Sequence, residues 1–503
     1  MANKLMVEQK NHNLSAQKPD FARDVLKMAS APIFTQAMGI LIMPLLSRLY
    51  APEAFGLMAL FVSIAAPIGE FANLGYSSSI MLPQSDEEAS NLLGACLFIT
   101  VIISGLSVLL MLFGSPIIIT GLKAQKLSPY LWLIPISIFL SGLYQSLRYW
   151  NMRNKRFGRI AKAQIYRFIS NNSIILGIAY FGRATGFNFI LGEMAASIVT
   201  PTVLGRRIWK ENGELLRRSI RWPKMFSATK RYRKFPKYIL WTNLLSRFTS
   251  QVPIYFLSYH YSQSIIGYYS LGLRLLNMPM KLVGNSIGEV FFQRASQGKD
   301  VNRLLENLFT RLVLFGMLPL LLLGFIGEDL FTIAFGKNWS EAGVYAQILS
   351  FLIFMRFITI PASYLMLIFE KQEFSLFLNI IDVIIAVFAI TIGGLSGNIY
   401  LSFLLLSLLS GLLYATYGFF FMNQAGLNPS KIFKILLRFL VVSSPILFIV
   451  SLTKWYFHLS SLIVITISSV GIIIFYSIVL KQDAKLRSSI IELLKKIKFS
   501  PNR

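Results

Sequence analysis

Leu46-Ser-Arg-Leu-Tyr-Ala-Pro-Glu-Ala-Phe-Gly-Leu-Met-Ala-Leu60 and Leu257-Ser-Tyr-His-Tyr-Ser-Gln-Ser-Ile-Ile-Gly-Tyr-Tyr-Ser-Leu271 align without a gap and share Leu, Ser, Tyr, Gly and Leu. Each stretch leaves one apolar span, turns, and enters the next. A repeat at such a junction reads as two copies of one helical unit. Duplicated halves with a binding site at their seam mark transporters. Six spans separate the two junctions, and an even number leaves both copies pointing the same way across a bilayer. The expected architecture is an all-α polytopic membrane protein. Two pseudo-symmetric six-helix lobes are related as a parallel repeat, and two further helices follow at the C-terminus.

Composition agrees with this reading. Residues are 55% hydrophobic and only 14% charged, and mean hydropathy is +0.60. About fourteen stretches approach the roughly 20 apolar residues that a spanning helix needs. The shortest are the eleventh, Phe377–Ile392, and the thirteenth, Leu436–Leu452. The expected divisions are a tail over 1–24, an N-lobe over 25–205, a basic linker over 206–237 and a C-lobe over 238–422. Two appended helices over 431–480 and a basic, partly amphipathic tail over 481–503 complete the chain. No segment between spans reaches the roughly 50 residues of an independent domain. The polar first twenty residues lack the apolar core of a cleaved signal. Cys96 is the single cysteine, which excludes an intrachain disulfide or a cysteine-based metal site.

The formal charge of +27 suggests nucleic acid until its placement is read. Most Lys and Arg fall in one alternating set of loops, twelve of them in Gly205–Lys237, and six fall in the opposite set. That asymmetry is the positive-inside rule, and it places both termini in the cytoplasm. Nucleic acid is not an expected partner, whereas anionic membrane lipid is. One inner turn, Gln84-Ser-Asp-Glu-Glu88, is acidic and runs against the pattern.

Catalytic and metal-binding motifs are missing from the sequence. His12, His260 and His458 are scattered, no Walker-type phosphate loop occurs, and no cluster has metal-ligand spacing. No cofactor or metal is expected, and transport would draw on an ion gradient or the membrane potential. The informative residues are ionisable groups inside spans, where an Arg or Lys at mid-membrane costs about 2.5–3.5 kcal/mol on insertion scales. The candidates singled out are Glu70, Glu193, Arg247, Arg274, Lys281, Glu289, Arg356 and Asp382. Glu193, Glu289 and Asp382 lie near span ends, within reach of the interface, and are set aside. Arg274 and Lys281, seven apart, form a cationic stripe about 10 Å long on one helix. The repeat offset matches Glu70 to Lys281, and Pro67 and Pro279 precede them as expected helix kinks. Interrupted helices at matching places point to a transport site, so Glu70 and Lys281 are expected to form a gate.

Several stretches then carry a family resemblance. They are Leu46-Ser-Arg-Leu-Tyr-Ala-Pro-Glu-Ala-Phe-Gly56, Leu82-Pro-Gln-Ser-Asp-Glu-Glu-Ala89, Lys234-Phe-Pro with Ser250-Gln-Val-Pro253, and Ile266-Gly-Tyr-Tyr-Ser-Leu-Gly-Leu-Arg274. Val290-Phe-Phe-Gln-Arg-Ala-Ser296 and Phe335-Gly-Lys-Asn-Trp-Ser-Glu-Ala342 complete the set. With these the chain resembles the polysaccharide repeat-unit flippases (O-antigen and capsule) of the multidrug/oligosaccharidyl-lipid/polysaccharide exporter superfamily.

The resemblance implies a central cavity surrounded by the two lobes, in a non-enzyme that turns an oligosaccharide on undecaprenyl diphosphate across a bacterial inner membrane by alternating access. It also implies a polysaccharide polymerase or chain-length regulator as partner. Arg suits bidentate phosphate contacts and Lys a point-charge contact. The expected headgroup contacts are therefore Arg247, Arg274, Lys281 and Arg356, with Glu70 as counter-ion or coupling group. Where many members carry an Arg/Tyr/Glu cluster after span two, this chain has Gly75-Tyr-Ser-Ser-Ser79. Two rivals are a drug exporter of the same superfamily, whose cavity should be acidic and aromatic, and a membrane glycan polymerase, which needs a large external loop.

Overall fold

The computed structural model describes residues 31–482, apart from 183, 279, 281–287, 289–290, 292–293 and 296–299. The expected kink at Pro279, the cation Lys281, Glu289, His12 and most of both charged tails lie outside the described residues.

Every described element is helical. Eleven helices among the described residues are long and apolar enough to cross a membrane, against an expected fourteen. They correspond one for one to the expected spans other than the fifth, seventh and eighth, and they include the short eleventh and thirteenth. The fifth and seventh exist as helices of 24 and 21 residues, Phe157–Tyr180 and Leu240–His260. What removes them from the apolar count is polar side chains, Gln164, Arg167, Asn171 and Asn172 in one and Asn243, Arg247, Ser250 and Gln251 in the other. The eighth is described only over Gln263–Leu276.

The chain forms two compact units, 1–270 and 271–503. Unit 1 contains α1 (Ala31–Leu49), α2 (Pro52–Gly69), α3 (Asp86–Gly121), α4 (Ile134–Arg153), α5 (Phe157–Tyr180), α6 (Gly186–Ser219), α7 (Trp222–Arg231) and α8 (Leu240–His260). It also holds most of α9 (Gln263–Leu276). Thus the seventh spanning helix, α8, packs with the first six, chiefly on α2. Tyr255 of α8 donates its hydroxyl hydrogen to the Ser63 carbonyl of α2. The core of this unit includes Leu60, Phe61, Ile64, Ile134, Ile138 and Ile190, contributed by α2, α4 and α6.

The acidic turn finds its reason here. Ser85 caps α3 by accepting from the Glu88 amide at 3.3 Å, and Asp86, Glu87 and Glu88 occupy the first helical turn. Negative charge at a helix N-terminus offsets the exposed amide dipoles. The same three acids hold basic groups: Asp86 pairs with Arg153 at 2.9 Å, Glu87 with Lys224 at 3.6 Å and Glu88 with Arg231 at 2.8 Å. The local break in the basic pattern is thus the seat on which the basic α7 is docked.

At the opposite end of unit 1 the two repeat copies meet. A Cβ built on Gly56 would stand 1.9 Å from the Gln263 carbonyl oxygen, and one on Gly267 would stand 1.9 Å from that of Pro52. Glu53 accepts from the Ser264 hydroxyl across the same contact, a pair 211 residues apart. Gly56 matches Gly267, Pro52 matches Gln263, and Glu53 matches Ser264 at that offset. The contact is therefore reciprocal, with each copy presenting the same patch to the other. Glycine is needed on both sides because only a missing side chain lets two helix backbones come this close.

Unit 2 contains the end of α9, then α10 (Val301–Phe335), α11 (Ser340–Ile358), α12 (Ile360–Ile368), α13 (Gln372–Leu395), α14 (Ile399–Gln424), α15 (Pro429–Ser451) and α16 (Ser461–Gln482). Its centre is α10 packed on α11, with α14 covering α11 and α13 covering α14; α15 and α16 lie on α10. Asn398 and Asn428 cap α14 and α15 through their side-chain oxygens.

Candidate functional site

A cavity of about 540 Å³ opens inside unit 1. Its walls are polar stripes on otherwise apolar helices. Helix α4 contributes Ser137, Ser141, Tyr144 and Arg148, with Gln145 and Tyr149 beside them; α6 contributes Glu193, Ser197 and Thr200. Helix α8 adds Asn243 and Arg247, α5 adds Arg167, and α2 adds Val62, Ala66 and Gly69, followed by Glu70. Spacings of four and three residues keep each set on one helical face.

Five charged groups line the cavity. Arg247 Nε lies 3.1 Å from Glu70 Oε1, with the Arg side chain 62% exposed and the Glu 15%. Arg167 forms a short ion pair with Glu193, and Ser197 hydrogen-bonds the same carboxylate. Arg148 is the fifth. Its Nε is buried without a hydrogen-bond partner, and its guanidinium carbon sits 5.7 Å from the Tyr149 ring centroid. Gln145 links to Asn73 at 3.4 Å and to Ser141 at 3.3 Å. A smaller pocket of about 240 Å³ shares Glu70, Gln145, Tyr149 and Asn243 with this cavity and adds Ser77 and Ser78. The uncharged Gly75–Ser79 stretch therefore meets the site through hydroxyl groups.

Glu70 sits where α2 stops. Pro67 lies two residues before the helix end, and the chain passes into a tight 3-10 turn over Glu70–Asn73. Leu74 and Gly75 then take positive φ values of 50° and 78°. Pro67, the expected kink, lies inside the last turn of α2; it has no amide to donate to the Ser63 carbonyl, which accepts from the Tyr255 hydroxyl instead.

The structure brings together Arg247 and Glu70, both expected as site residues. Arg247 is the observed partner of Glu70, whereas its expected gate partner Lys281 lies outside the described residues. Arg274 is an exposed residue in the last turn of α9, and among the described residues no carboxylate pairs with it.

Arg356 belongs to a separate network in unit 2. It donates to the Tyr414 hydroxyl at 2.8 Å and approaches Asp382 at 3.5 Å, stacking on the Tyr414 ring at 4.7 Å. Tyr414 and Ser410 donate to Asp382 at 3.0 and 2.6 Å. Glu193 and Asp382, expected near span ends, each pair with a guanidinium of a neighbouring helix, Arg167 and Arg356, which offsets the cost of placing a charge between apolar helices.

Arg148 and Arg167 were not anticipated. Arg148 falls one residue beyond the expected fourth span, and Arg167 lies near the start of the fifth. The stripe Ser137, Ser141, Tyr144, Arg148 is nonetheless a legible helical period of polar residues in an apolar helix. Among the described residues no group of three His, Cys, Asp or Glu is placed to hold a metal.

The arrangement can bind a polar, anionic group in water while apolar helices surround it. A family model described as "Polysaccharide biosynthesis protein" matches residues 45–344, more than half of the chain. No curated protein sequence matches this chain. Among solved structures, a lipid II flippase, MurJ, in an inward closed conformation aligns with a TM-score of 0.65 and 18% identity, covering 90% of this chain and 99% of that one. An inward-facing multidrug resistance MATE family transporter of the MOP superfamily aligns with a TM-score of 0.59 and 12% identity, covering 82% and 98%. The fold is that of multi-pass membrane transporters rather than of an enzyme.

Proposed function

We propose, from the premise that this chain belongs to the polysaccharide biosynthesis protein family, that it carries oligosaccharides linked to a polyprenyl diphosphate across the bacterial inner membrane. The basic segments face the cytoplasm with both termini, and the cargo passes from the inner to the outer leaflet by alternating access. An ion gradient or the membrane potential drives the cycle. The observation that carries this reading is the cavity of unit 1, where three guanidiniums and two carboxylates line about 540 Å³ inside an apolar helical bundle.

Such a cavity offers a diphosphate headgroup what the hydrocarbon withholds, namely charge-assisted hydrogen bonds and water. Fold likeness to a lipid II flippase supports a lipid-linked cargo. A drug exporter for organic cations fits less well, because here cations outnumber acids. The oligosaccharide would contact Ser, Tyr, Gln and Asn side chains of the same walls, and the polyprenyl chain would remain in the bilayer.

Depletion of the protein, followed by assay of which leaflet holds lipid-linked oligosaccharide, tests the proposal. Accumulation on the inner leaflet is expected. Accumulation on the outer leaflet would rule out flipping.

A further inference from the structure

Both cavity carboxylates are committed, Glu70 to Arg247 and Glu193 to Arg167. Arg148 has no such partner among the described residues, and its Nε is a buried donor with nothing to accept from it. A buried donor left unpaired is unusual in a folded protein and calls for an explanation in terms of function or a missing ligand. Arg148 lines the open volume while its Nε is itself enclosed, so an anion in the cavity would meet the guanidinium at its other two nitrogens. Arg148 is also the one cation by which guanidiniums exceed carboxylates among the lining residues, so the surplus charge there favours an anion.

Its position gives the anion a direction of entry. Helix α4 ends at Arg153, which clamps Asp86 and the Pro83 carbonyl at the end of the unit that bears the basic linker. Arg148 lies five residues in, about 7.5 Å along the helix axis. Gln145 and Asn243 stand on the same cavity wall as neutral donors.

We propose that Arg148 is the anion anchor of the cavity: it takes a phosphate of the incoming lipid diphosphate by a bidentate contact, ahead of any contact with Arg247. This rests on reading the cavity as the headgroup site. Arg247 follows second because Glu70 already supplies it with a counter-charge through Nε, whereas Arg148 has none among the described residues. A planar guanidinium suits two phosphate oxygens at once, which an ammonium cannot match.

The test uses the full-length protein in detergent and measures binding of farnesyl diphosphate, inorganic pyrophosphate and glucuronate, with thermal unfolding in parallel. Wild type is expected to bind farnesyl diphosphate and to gain stability from it. R148Q should lose at least tenfold in affinity and most of that gain, while its ligand-free melting temperature stays the same or rises, because an unsatisfied buried donor has been removed. R148K should bind better than R148Q and more weakly than wild type. Pyrophosphate should follow the same order at lower affinity.

If R148Q binds like wild type while Arg247→Gln does not, the headgroup reading stands and the anchor is misassigned. If glucuronate alone binds through Arg148, the residue is a sugar contact and the phosphate assignment falls. If wild type binds no probe, both readings fall. A ligand-free R148Q that melts well below wild type, with R148K normal in both binding and stability, would make Arg148 a structural residue and overturn the proposal.

Discussion

Both units hold an arginine against a carboxylate between membrane helices, yet the two pairs are built for different ends. In unit 2, Arg356 meets Asp382 and Tyr414, and Asp382 is further held by Ser410, so charge and hydrogen-bond demand are met locally. In unit 1, Arg247 reaches Glu70 through one contact and is 62% exposed on a cavity wall, about twice the 32% of Arg356. A network in which each member has several partners fixes helices in place. A pair with one contact and an open side can exchange partners when an anion arrives. A guanidinium paired with a carboxylate is thus locked into a network in one unit and left open on one side in the other.

The comparison is open to direct attack, most severely in unit 2. Asp382→Ala leaves Arg356 facing Tyr414 without its counter-charge. A loss of about 3 kcal/mol is expected, as when one partner of a buried pair is removed. Arg356→Met combined with Asp382→Leu should recover most of it in thermal unfolding. If the double variant is no better than the single one, the network does more than hold helices together.

Packing in unit 1 supplies the next effect. Gly56→Ala places a methyl group 1.9 Å from a backbone oxygen that cannot rotate away, and about 1–3 kcal/mol should be lost. Gly267→Ala should cost a similar amount, because the contact is reciprocal. Unequal costs would show that the two copies do not share one interface. A cross-link between Glu53→Cys and Ser264→Cys, made with a short bifunctional thiol reagent in a Cys96→Ala background, reports the contact directly.

The cavity pair should be the tolerant one. Glu70→Gln is expected to change stability by less than about 1 kcal/mol, since a pair open to water contributes little. Affinity for farnesyl diphosphate should rise a few-fold because Arg247 no longer has a resident counter-charge. A collapse in stability instead would place this pair beside that of unit 2 and erase the distinction. The smallest effect belongs to the docked α7. Glu88→Gln should lower stability by about 1 kcal/mol or less at low salt, and the difference should shrink in about 0.5 M NaCl as the screening length falls to about 4 Å.

Much of this was legible along the chain. The offset between Gly56 and Gly267 is readable before any coordinates, and the glycine contact shows why that one of the five shared positions matters. Eleven expected spans reappear as apolar helices, because a run of apolar residues is a property of local sequence. The three that escape are two helices interrupted by polar residues and one whose end is undescribed. Depth was the weaker inference. Distance along a span cannot say whether Glu193 turns toward the interface or toward Arg167, because that depends on which helix stands opposite. Arg148 was hidden for a related reason: one residue past a span end, it resembles an ordinary topogenic cation.

The sequence by itself determined the membrane class, the repeat, the basic face and the inventory of charges that must avoid hydrocarbon, since each is a sum or a period over neighbouring residues. Only the tertiary structure decided how those charges are shared. It matched Arg247 with Glu70, Arg167 with Glu193 and Arg356 with Asp382, and left Arg148 over. Pairing is settled by distances of about 3 Å between residues many turns apart in the chain. Such distances follow from helix packing and have no local signature.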